Sequence, residues 1–406
     1  MFENIMIVDA LRTPFSRFGG ALKLEKSIDL GAIVLKEILK RNNLPAEEVG
    51  AIYYGTCEPM ETGVEINVPG RQALILAGLS PTTRSLTIDS ACCSSMDAVT
   101  LGARDIAGGY ERVIIGMGSE NMGRQVYFLP PEMKWGKSTG HMQLTDAARR
   151  GGAYPLAGTG PVSYDAGVVS FEQYGITREM NDEWALRSQQ RYAKAYREGK
   201  FDEEMIKPLA IPQKKGPDLV IEIDEQHRPD TSLEKLAKLK PVWDNPTITA
   251  GAAPGINTGA SAVLAMSREK AAQLDRPPLG EYVYGGRLAS AHNMIAAAPG
   301  WAIQMALKET GLTLDDMKLI EINEAFAAMP LTAARILSDG DDTKMKQLLD
   351  RTNVNGGAIA IGHPVGASGA RLIMALIYEL RRRGGGYGIA ALCGGLSQAA
   401  VCIVKV

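Results

Sequence analysis

Two cysteines far apart in the chain, Cys92 and Cys393, are each followed within two positions by a small residue or a glycine. Between them runs the glycine-dense segment Asn353-Val354-Asn355-Gly356-Gly357-Ala358-Ile359-Ala360-Ile361-Gly362-His363-Pro364-Val365-Gly366-Ala367-Ser368-Gly369. A soft nucleophile to hold an acyl group, a base to activate it and a second acid/base are what carbon–carbon chemistry on thioesters requires. Taken singly, each residue also has a bland explanation. Cys92 reads equally as a buried inert thiol, His363 as a satisfied core histidine, and Cys393 as a packed strand-end cysteine.

Cys92 falls at the predicted start of a helix, where unpaired N–H groups and the helix dipole stabilise a thiolate. His363 sits in a Gly-His-Pro turn, where Pro364 fixes φ and the glycines permit close backbone approach. The other histidines, His141, His227 and His292, lack such surroundings. Cys402 and Cys57 read as packing residues.

Composition narrows the class. A chain of 406 residues is long enough for two or more domains. An apolar fraction of 45% with 22% charged residues is that of a globular protein. A net charge of −2 offers no broad basic face, so no nucleic acid is expected as a partner. The five cysteines include no Cys-x-x-Cys pair, so no metal is expected. No apolar run approaches the length of a membrane span, so no membrane is expected either. Met1-Phe2-Glu3-Asn4-Ile5 shows no basic-plus-apolar leader, and Ile403-Val404-Lys405-Val406 contains no peroxisomal tripeptide. A reducing, cytoplasmic location with free thiols is the expectation.

Two series of alternating elements must position these residues. The first has strands at Ile5–Val8, Ala51–Tyr54, Ser85–Ile88 and Val113–Gly116, and helices at Leu30–Lys40, Arg71–Ala77 and Cys92–Ala107. The second has strands at Tyr282–Tyr284, Leu319–Ile322, Tyr387–Leu392 and Ala399–Val404, and helices at Ala302–Lys308, Ala325–Leu337 and Gly369–Arg383. Such alternation predicts an α/β protein with a mostly parallel sheet, in two halves of like topology. Between them, roughly 120–246, Pro130-Pro131, Gly151-Gly152 and Gly158-Thr159-Gly160-Pro161 interrupt the periodicity around one firm helix, Arg178–Glu198. That stretch reads as an excursion over the active-site face or as a surface insertion without function.

Several motifs together resemble the thiolase family. They are Asp89-Ser90-Ala91-Cys92-Cys93-Ser94-Ser95-Met96-Asp97-Ala98, Gly118-Ser119-Glu120-Asn121-Met122, Asn323-Glu324-Ala325-Phe326-Ala327, the His363 segment, and Leu392-Cys393-Gly394-Gly395. Arg12-Thr13-Pro14-Phe15 and Ala237-Lys238-Leu239-Lys240-Pro241 agree with it, so the resemblance spans nearly the whole chain. It implies a thiolase-like fold, with the two α/β halves forming a layered αβαβα core plus an inserted loop domain. The expected division is 1–119 with 247–275, then 120–246, then 276–406.

The resemblance also implies roles. Cys92 would carry the acyl group, His363 would take its proton, and Cys393 would move the α-proton of acetyl-CoA with a pKa set close to working pH. His363 with Asn323, the latter through a water, and the backbone N–H groups of Cys92 and Gly395 would bind the two oxyanions. Asn323 also reads as a cap for the Ala325–Leu337 helix. Phe326 would line the thioester channel. Arg228, in a basic cluster with Lys235, Lys238 and Lys240, would meet the nucleotide end of coenzyme A. Coenzyme A and acyl-CoA enter as substrates, with no tightly bound cofactor, and a homodimer or homotetramer is implied.

Departures from the family pattern fall around the acyl and pantetheine pocket. Val162-Ser163-Tyr164 stands where thiolases carry His-Met-Gly, Pro254 replaces a serine, and Ala296-Ala297-Ala298-Pro299 replaces Gly-x-Gly-Pro. Leu396-Ser397 breaks the glycine run after Gly395, and Ser95 replaces a glycine. The reading is therefore a CoA-dependent thiolase, an acyltransferase of lipid metabolism, preferring a β-ketoacyl-CoA other than acetoacetyl-CoA. The alternatives are a condensing enzyme or acyltransferase using another acyl carrier, or a non-catalytic acyl-CoA-binding partner subunit.

Overall fold

The computed structural model describes residues 1–406 except 58–66, 130, 137–138, 143, 148–160 and 243–244. Pro130, Gly151-Gly152 and Gly158-Thr159-Gly160, named above as interruptions, lie outside the described residues. Among the described residues the main sheet has ten strands. Their order across the sheet is Met317–Ile322, Tyr387–Gly394, Gln398–Lys405, Gly280–Ala289, Ile5–Arg12, Asn257–Ser267, Val113–Asn121, Ala51–Gly55 and Arg84–Ile88, with Ser16–Arg17 paired beside Asn257–Ser267. The two halves meet where Met6 and Ile7 pair with Glu281 and Gly280.

The sheet is mixed, which corrects the expectation of a mostly parallel one. Parallel pairing joins Ala51–Gly55 to Arg84–Ile88 and to Val113–Asn121, and Met317–Ile322 to Tyr387–Gly394. Those are the strands that a helix connects. Asn257–Ser267 returns after the excursion and inserts antiparallel between Ile5–Arg12 and Val113–Asn121. Gln398–Lys405 follows Tyr387–Gly394 through a tight turn and so pairs with it antiparallel. Asn257–Ser267 went unpredicted: it is buried along almost its whole length, so it shows no alternation, and its first half, Asn257-Thr258-Gly259-Ala260-Ser261, lacks the apolar run that marks a buried strand.

Among the described residues, three of the four apolar clusters bind the helices to the sheet. Leu30, Val34 and Ile38 of the Ser27–Arg41 helix, with Leu74 of Pro69–Ala77, cover one face of the first half-sheet against Ile52, Ile115 and Leu264. Val99 and Ala103 of the Ser94–Ala107 helix and Leu372, Ile373 and Leu376 of the Ser368–Arg382 helix fill the space between the half-sheets. Ile303 of Ala298–Thr310 and Met329 of Ala328–Leu337 close the far face over Ile320, Ile389 and Val401. At ~25 cal/mol per Å² of apolar surface removed from water, these cores set the frame and leave polar chemistry to the element ends.

The central pair of helices matters most for function. At Gly369 an added Cβ would lie 2.4 Å from the Met96 backbone nitrogen, so glycine lets the two helix starts touch. Ser95, one residue before Met96, accepts a hydrogen bond from the Ala370 N–H at 3.0 Å and ties them together. Two helix N-termini, with their partial positive charges, therefore converge on one spot.

Candidate active site

The chain reaches that spot from the Arg84–Ile88 strand through a strained turn. Ala91 adopts φ +54°, a left-handed conformation costing ~1–3 kcal/mol for a residue with a Cβ. The Ser94 hydroxyl holds the turn, donating to the Ala91 carbonyl at 2.6 Å while accepting from the Ser90 N–H at 3.0 Å. The Ser90 hydroxyl donates in turn to Asp97. The helix accordingly starts at Ser94 rather than at Cys92, with Cys93 as its N-cap. Cys92 is left half-buried at the tip, while Cys93 is sealed inside. Burial pushes the Cys93 thiol well above its ordinary value, which leaves Cys92 as the accessible sulfur of the pair.

His363 comes from the other side. Its backbone N–H donates to the Asn257 side-chain oxygen at 2.8 Å, and Gly362 before it has φ +113°. Nε2 lies 3.2 Å from the Cys92 sulfur, and Nδ1 lies 2.6 Å from the Ser368 hydroxyl. That hydroxyl spends its one proton on the Pro364 carbonyl at 2.8 Å, so it accepts from Nδ1–H. The tautomer follows: Nδ1 carries the proton and Nε2 offers its lone pair to Cys92. Burial, reinforced by the Arg371 guanidinium, pulls the imidazole down to about 3. A neutral base hydrogen-bonded to a thiol at a helix start is the arrangement that generates a cysteine nucleophile.

Asn323 lies at the end of the Met317–Ile322 strand, its N–H donating to the Ala391 carbonyl at 3.0 Å. Its side-chain nitrogen is 3.4 Å from His363 Nε2 and 3.5 Å from Nδ1, a near-equal pair that places the amide over the ring face. It is not a helix cap. The following helix begins at Ala328, three residues later than predicted, with Ala327 as N-cap. Glu324 beside it is buried and accepts from Trp184 Nε1, Ser188 Oγ, Asn353 Nδ2 and the Ile359 N–H at 2.7–3.1 Å. Four donors on one carboxylate join the Asn323 turn, the Arg178–Arg197 helix and the histidine segment.

Cys393 ends the Tyr387–Gly394 strand opposite Ala399 and is 1% exposed. Burial pushes its thiol up to about 12, against which the surroundings set only a backbone hydrogen bond. The expected pKa near working pH is therefore not that of the resting protein: the group is a protonated thiol. Its segment touches that of Cys92, since the Cys93 sulfur lies 3.6 Å from the Leu392 carbonyl, and a Cβ on Gly394 would come within 2.9 Å of the Cys93 sulfur. Gly395 opens a turn in which Leu396 (φ 56°) and Ser397 (φ 59°) are both left-handed. Ser397 is pinned there, its hydroxyl donating to the His292 carbonyl and its own carbonyl accepting from Ser290.

The remaining predicted residues make no hydrogen bond to Cys92 or His363 among the described contacts. Phe326 is half-buried against the core of the second half. Arg228 is exposed; its N–H donates to Gln189 Oε1 at 2.9 Å and its guanidinium to the Ala250 carbonyl at 3.2 Å. Lys235 pairs with Asp230 at 2.6 Å and Lys238 with Glu234 at 2.8 Å, so much of the expected basic cluster is neutralised locally. Gln189 was missed by the sequence reading, as were Glu324, Ser368 and Arg371. Each acts through other protein groups, and only the spacing of Ser368, one helical turn past the His-Pro step, hints at its contact. Among the described residues no His, Cys, Asp or Glu group could hold a metal ion, and no helix is long and apolar enough to cross a membrane.

The chain is similar to known proteins along its whole length. Residues 5–269 match the thiolase N-terminal domain and residues 277–406 the thiolase C-terminal domain. An acetyl-CoA acetyltransferase of Syntrophomonas wolfei is 38% identical, with 100% of both chains covered. A beta-ketoadipyl-CoA thiolase of Acinetobacter baylyi is also 38% identical, covering 99% of each. The crystal structure of human mitochondrial 3-ketoacyl-CoA thiolase superposes with a TM-score of 0.91 at 33% identity, covering 99% of this chain and 98% of that one. The chain belongs to the thiolase family. It is a CoA-dependent thiolase, an acyltransferase.

Proposed function

We propose that this enzyme cleaves and forms β-ketoacyl-CoA by a reversible Claisen reaction through an acyl-Cys92 intermediate. The observation that carries it is the 3.2 Å contact of His363 Nε2 with the Cys92 sulfur, the other ring nitrogen being committed to Ser368. In cleavage, Nε2 takes the Cys92 proton and the sulfur attacks the β-keto carbon. The α–β carbon bond breaks, and the enolate of acetyl-CoA takes a proton from Cys393. The thiol of a second CoA then gives its proton to the Cys393 thiolate and attacks the acyl-Cys92 carbonyl. The carbon–sulfur bond to Cys92 breaks, Cys92 leaves with the proton held by His363, and the shortened acyl-CoA is released. The protonated resting state of Cys393 fits its donor role in this direction.

In this reading His363 and, through a water, Asn323 donate to the enolate oxygen, and the backbone N–H groups of Cys92 and Gly395 to the tetrahedral oxyanion, each donor being worth ~10²–10³ in rate. Arg228 meets the nucleotide end of CoA, and Phe326 lines the thioester channel. Mass spectrometry of protein mixed with a β-ketoacyl-CoA tests it: an acyl adduct on the Cys92 peptide is expected, and an adduct elsewhere or none would refute it.

The acyl group differs from acetoacetyl in this reading. Val162-Ser163-Tyr164 opens a helix, Val162–Tyr174, and the left-handed Leu396 and Ser397 bring side chains where the family has glycine. Thiolysis rates across an acyl-CoA panel decide it; a strong preference for acetoacetyl-CoA is the contrary result. In this reading the enzyme works in the cytoplasm and in lipid metabolism. It is divided as residues 1–119 with 247–275, 120–246 and 276–406. A homo-oligomer is supported by the edge strand Arg84–Ile88, where Leu86 is 50% exposed beside exposed Ile75 and Leu76. Sedimentation of wild type and Leu86→Lys tests that edge.

A further inference from the structure

We infer that Arg371 is a positioning residue for Asn323: its buried guanidinium, donating from Nη2 to Asn323 Oδ1 at 3.4 Å, fixes which end of the amide faces His363. This deepens the proposed reaction and rests on the reading of Asn323 as an oxyanion donor.

An asparagine amide is nearly symmetric in shape, and its oxygen and nitrogen exchange places by a half-turn of χ2. Turned the wrong way, it would present a carbonyl lone pair to the developing enolate and repel it. A guanidinium has five donors and no acceptor, so the atom it faces must be the oxygen. The nitrogen is thereby left on the His363 side, 3.4 Å from Nε2. Arg371 is itself aimed by Glu321, whose carboxylate accepts from Nη1 at 3.3 Å and which lies two residues before Asn323 on the same chain segment. Ser368, which fixes the imidazole tautomer, is one helical turn before Arg371. One face of the Ser368–Arg382 helix therefore orients both polar side chains over the sulfur.

As a stabilising device the arrangement is poor. Arg371 is 1% exposed and its Nε has no partner among the described residues, so a cation is kept in the core incompletely bonded. Buried ion pairs seldom stabilise beyond an apolar replacement. Its charge also disfavours a second proton on His363.

The experiment is a double-mutant cycle on the full-length enzyme with Asn323→Ala and Arg371→Lys. Lysine keeps a charge for Glu321 but cannot fork to both partners. Two rates are read: the carbon–carbon step, from loss of β-ketoacyl-CoA, and alkylation of Cys92 by iodoacetamide. Asn323→Ala is expected to lower the first by ~10²-fold. Arg371→Lys is expected to lower it ~10-fold or more, with KM for CoA and the alkylation rate within about threefold of wild type. Added to Asn323→Ala, it should cost less than about threefold further.

Full carbon–carbon turnover in Arg371→Lys, an equal loss in both rates, or multiplying effects in the double variant would overturn the inference. A silent Asn323→Ala would instead remove the oxyanion reading itself, so the two failures are distinct. If Arg371→Lys does not fold, the neutral pair Arg371→Met with Glu321→Gln is read in the same cycle, with the same outcomes deciding.

Discussion

His363 Nε2 stands 3.2 Å from the Cys92 sulfur although 271 residues separate the two in the chain. The contact exists because the start of the Ser94–Ala107 helix touches that of Ser368–Arg382, Gly369 giving the space and Ser95 the hydrogen bond. His363→Asn should therefore slow alkylation of Cys92 by iodoacetamide at neutral pH by ~10²-fold, and an acyl-CoA should protect the wild type. Peptide mapping by mass spectrometry reads both, and an unchanged rate would remove His363 as the base.

Ser368 determines which ring nitrogen is free. Ser368→Ala leaves a buried Nδ1–H without an acceptor, at a cost of ~1–3 kcal/mol. The proton is then free to move to Nε2, where it faces a thiol it cannot deprotonate. The turnover number is expected to fall at least ~10-fold with KM for CoA little changed. Steady-state kinetics beside a thermal melt separate this from unfolding.

Cys393 should be silent to reagents that label Cys92. With its thiol pushed up to about 12 by burial, it stays protonated through pH 8. Cys393→Ala is expected to retain acyl transfer to Cys92 while losing the carbon–carbon step by ~10²–10⁴-fold. Intact-mass measurement of the trapped acyl-enzyme checks the first half, and β-ketoacyl-CoA consumption the second. Loss of the adduct would contradict separate roles for the two thiols.

The buried imidazole also shapes acid stability. Its pKa is about 3 in the folded protein and ~6.5 in the unfolded chain, so between those values the unfolded state binds the extra proton. Stability must then fall as pH falls through that window, by at most ~1.4 kcal/mol per pH unit from this group. His363→Asn should show a shallower decline in unfolding free energy between pH 7 and pH 5. Parallel slopes in denaturant titrations would place the group's folded pKa nearer its ordinary value.

Gly369→Ala is expected to separate the nucleophile from its base. Its Cβ would fall 2.4 Å from the Met96 nitrogen, a backbone atom that cannot swing aside. Overpacking of this kind costs ~1–3 kcal/mol. Activity should fall further than stability, since the thiol–imidazole distance is set at that contact. Melting temperature and turnover measured together give the comparison.

Much of this molecule is legible in its sequence for local reasons. Strand–helix alternation marks fourteen of the observed elements, and the Arg178–Arg197 helix begins at a threonine cap, Thr177, whose hydroxyl accepts from the Met180 N–H. Cys92, His363, Asn323 and Cys393 stood out because reactive side chains were embedded in turns of glycine and small residues. One long buried strand was missed although others as deeply buried, such as Ile5–Arg12 and Val113–Asn121, were found. Asn257–Ser267 shows no alternation, yet it decides that the sheet is mixed and supplies Asn257 to hold His363.

What the chain determined by itself, then, was which atoms are available for chemistry and which short segments present them, because propensity, turns and motifs act over a few residues. Tertiary structure decided their states. Whether a thiol is acidic, which imidazole nitrogen carries the proton and which way an amide points depend on partners hundreds of residues away and on exclusion of water. Ser368, Arg371 and the enclosure of Cys393 exist as chemical facts only once the two helix starts have met.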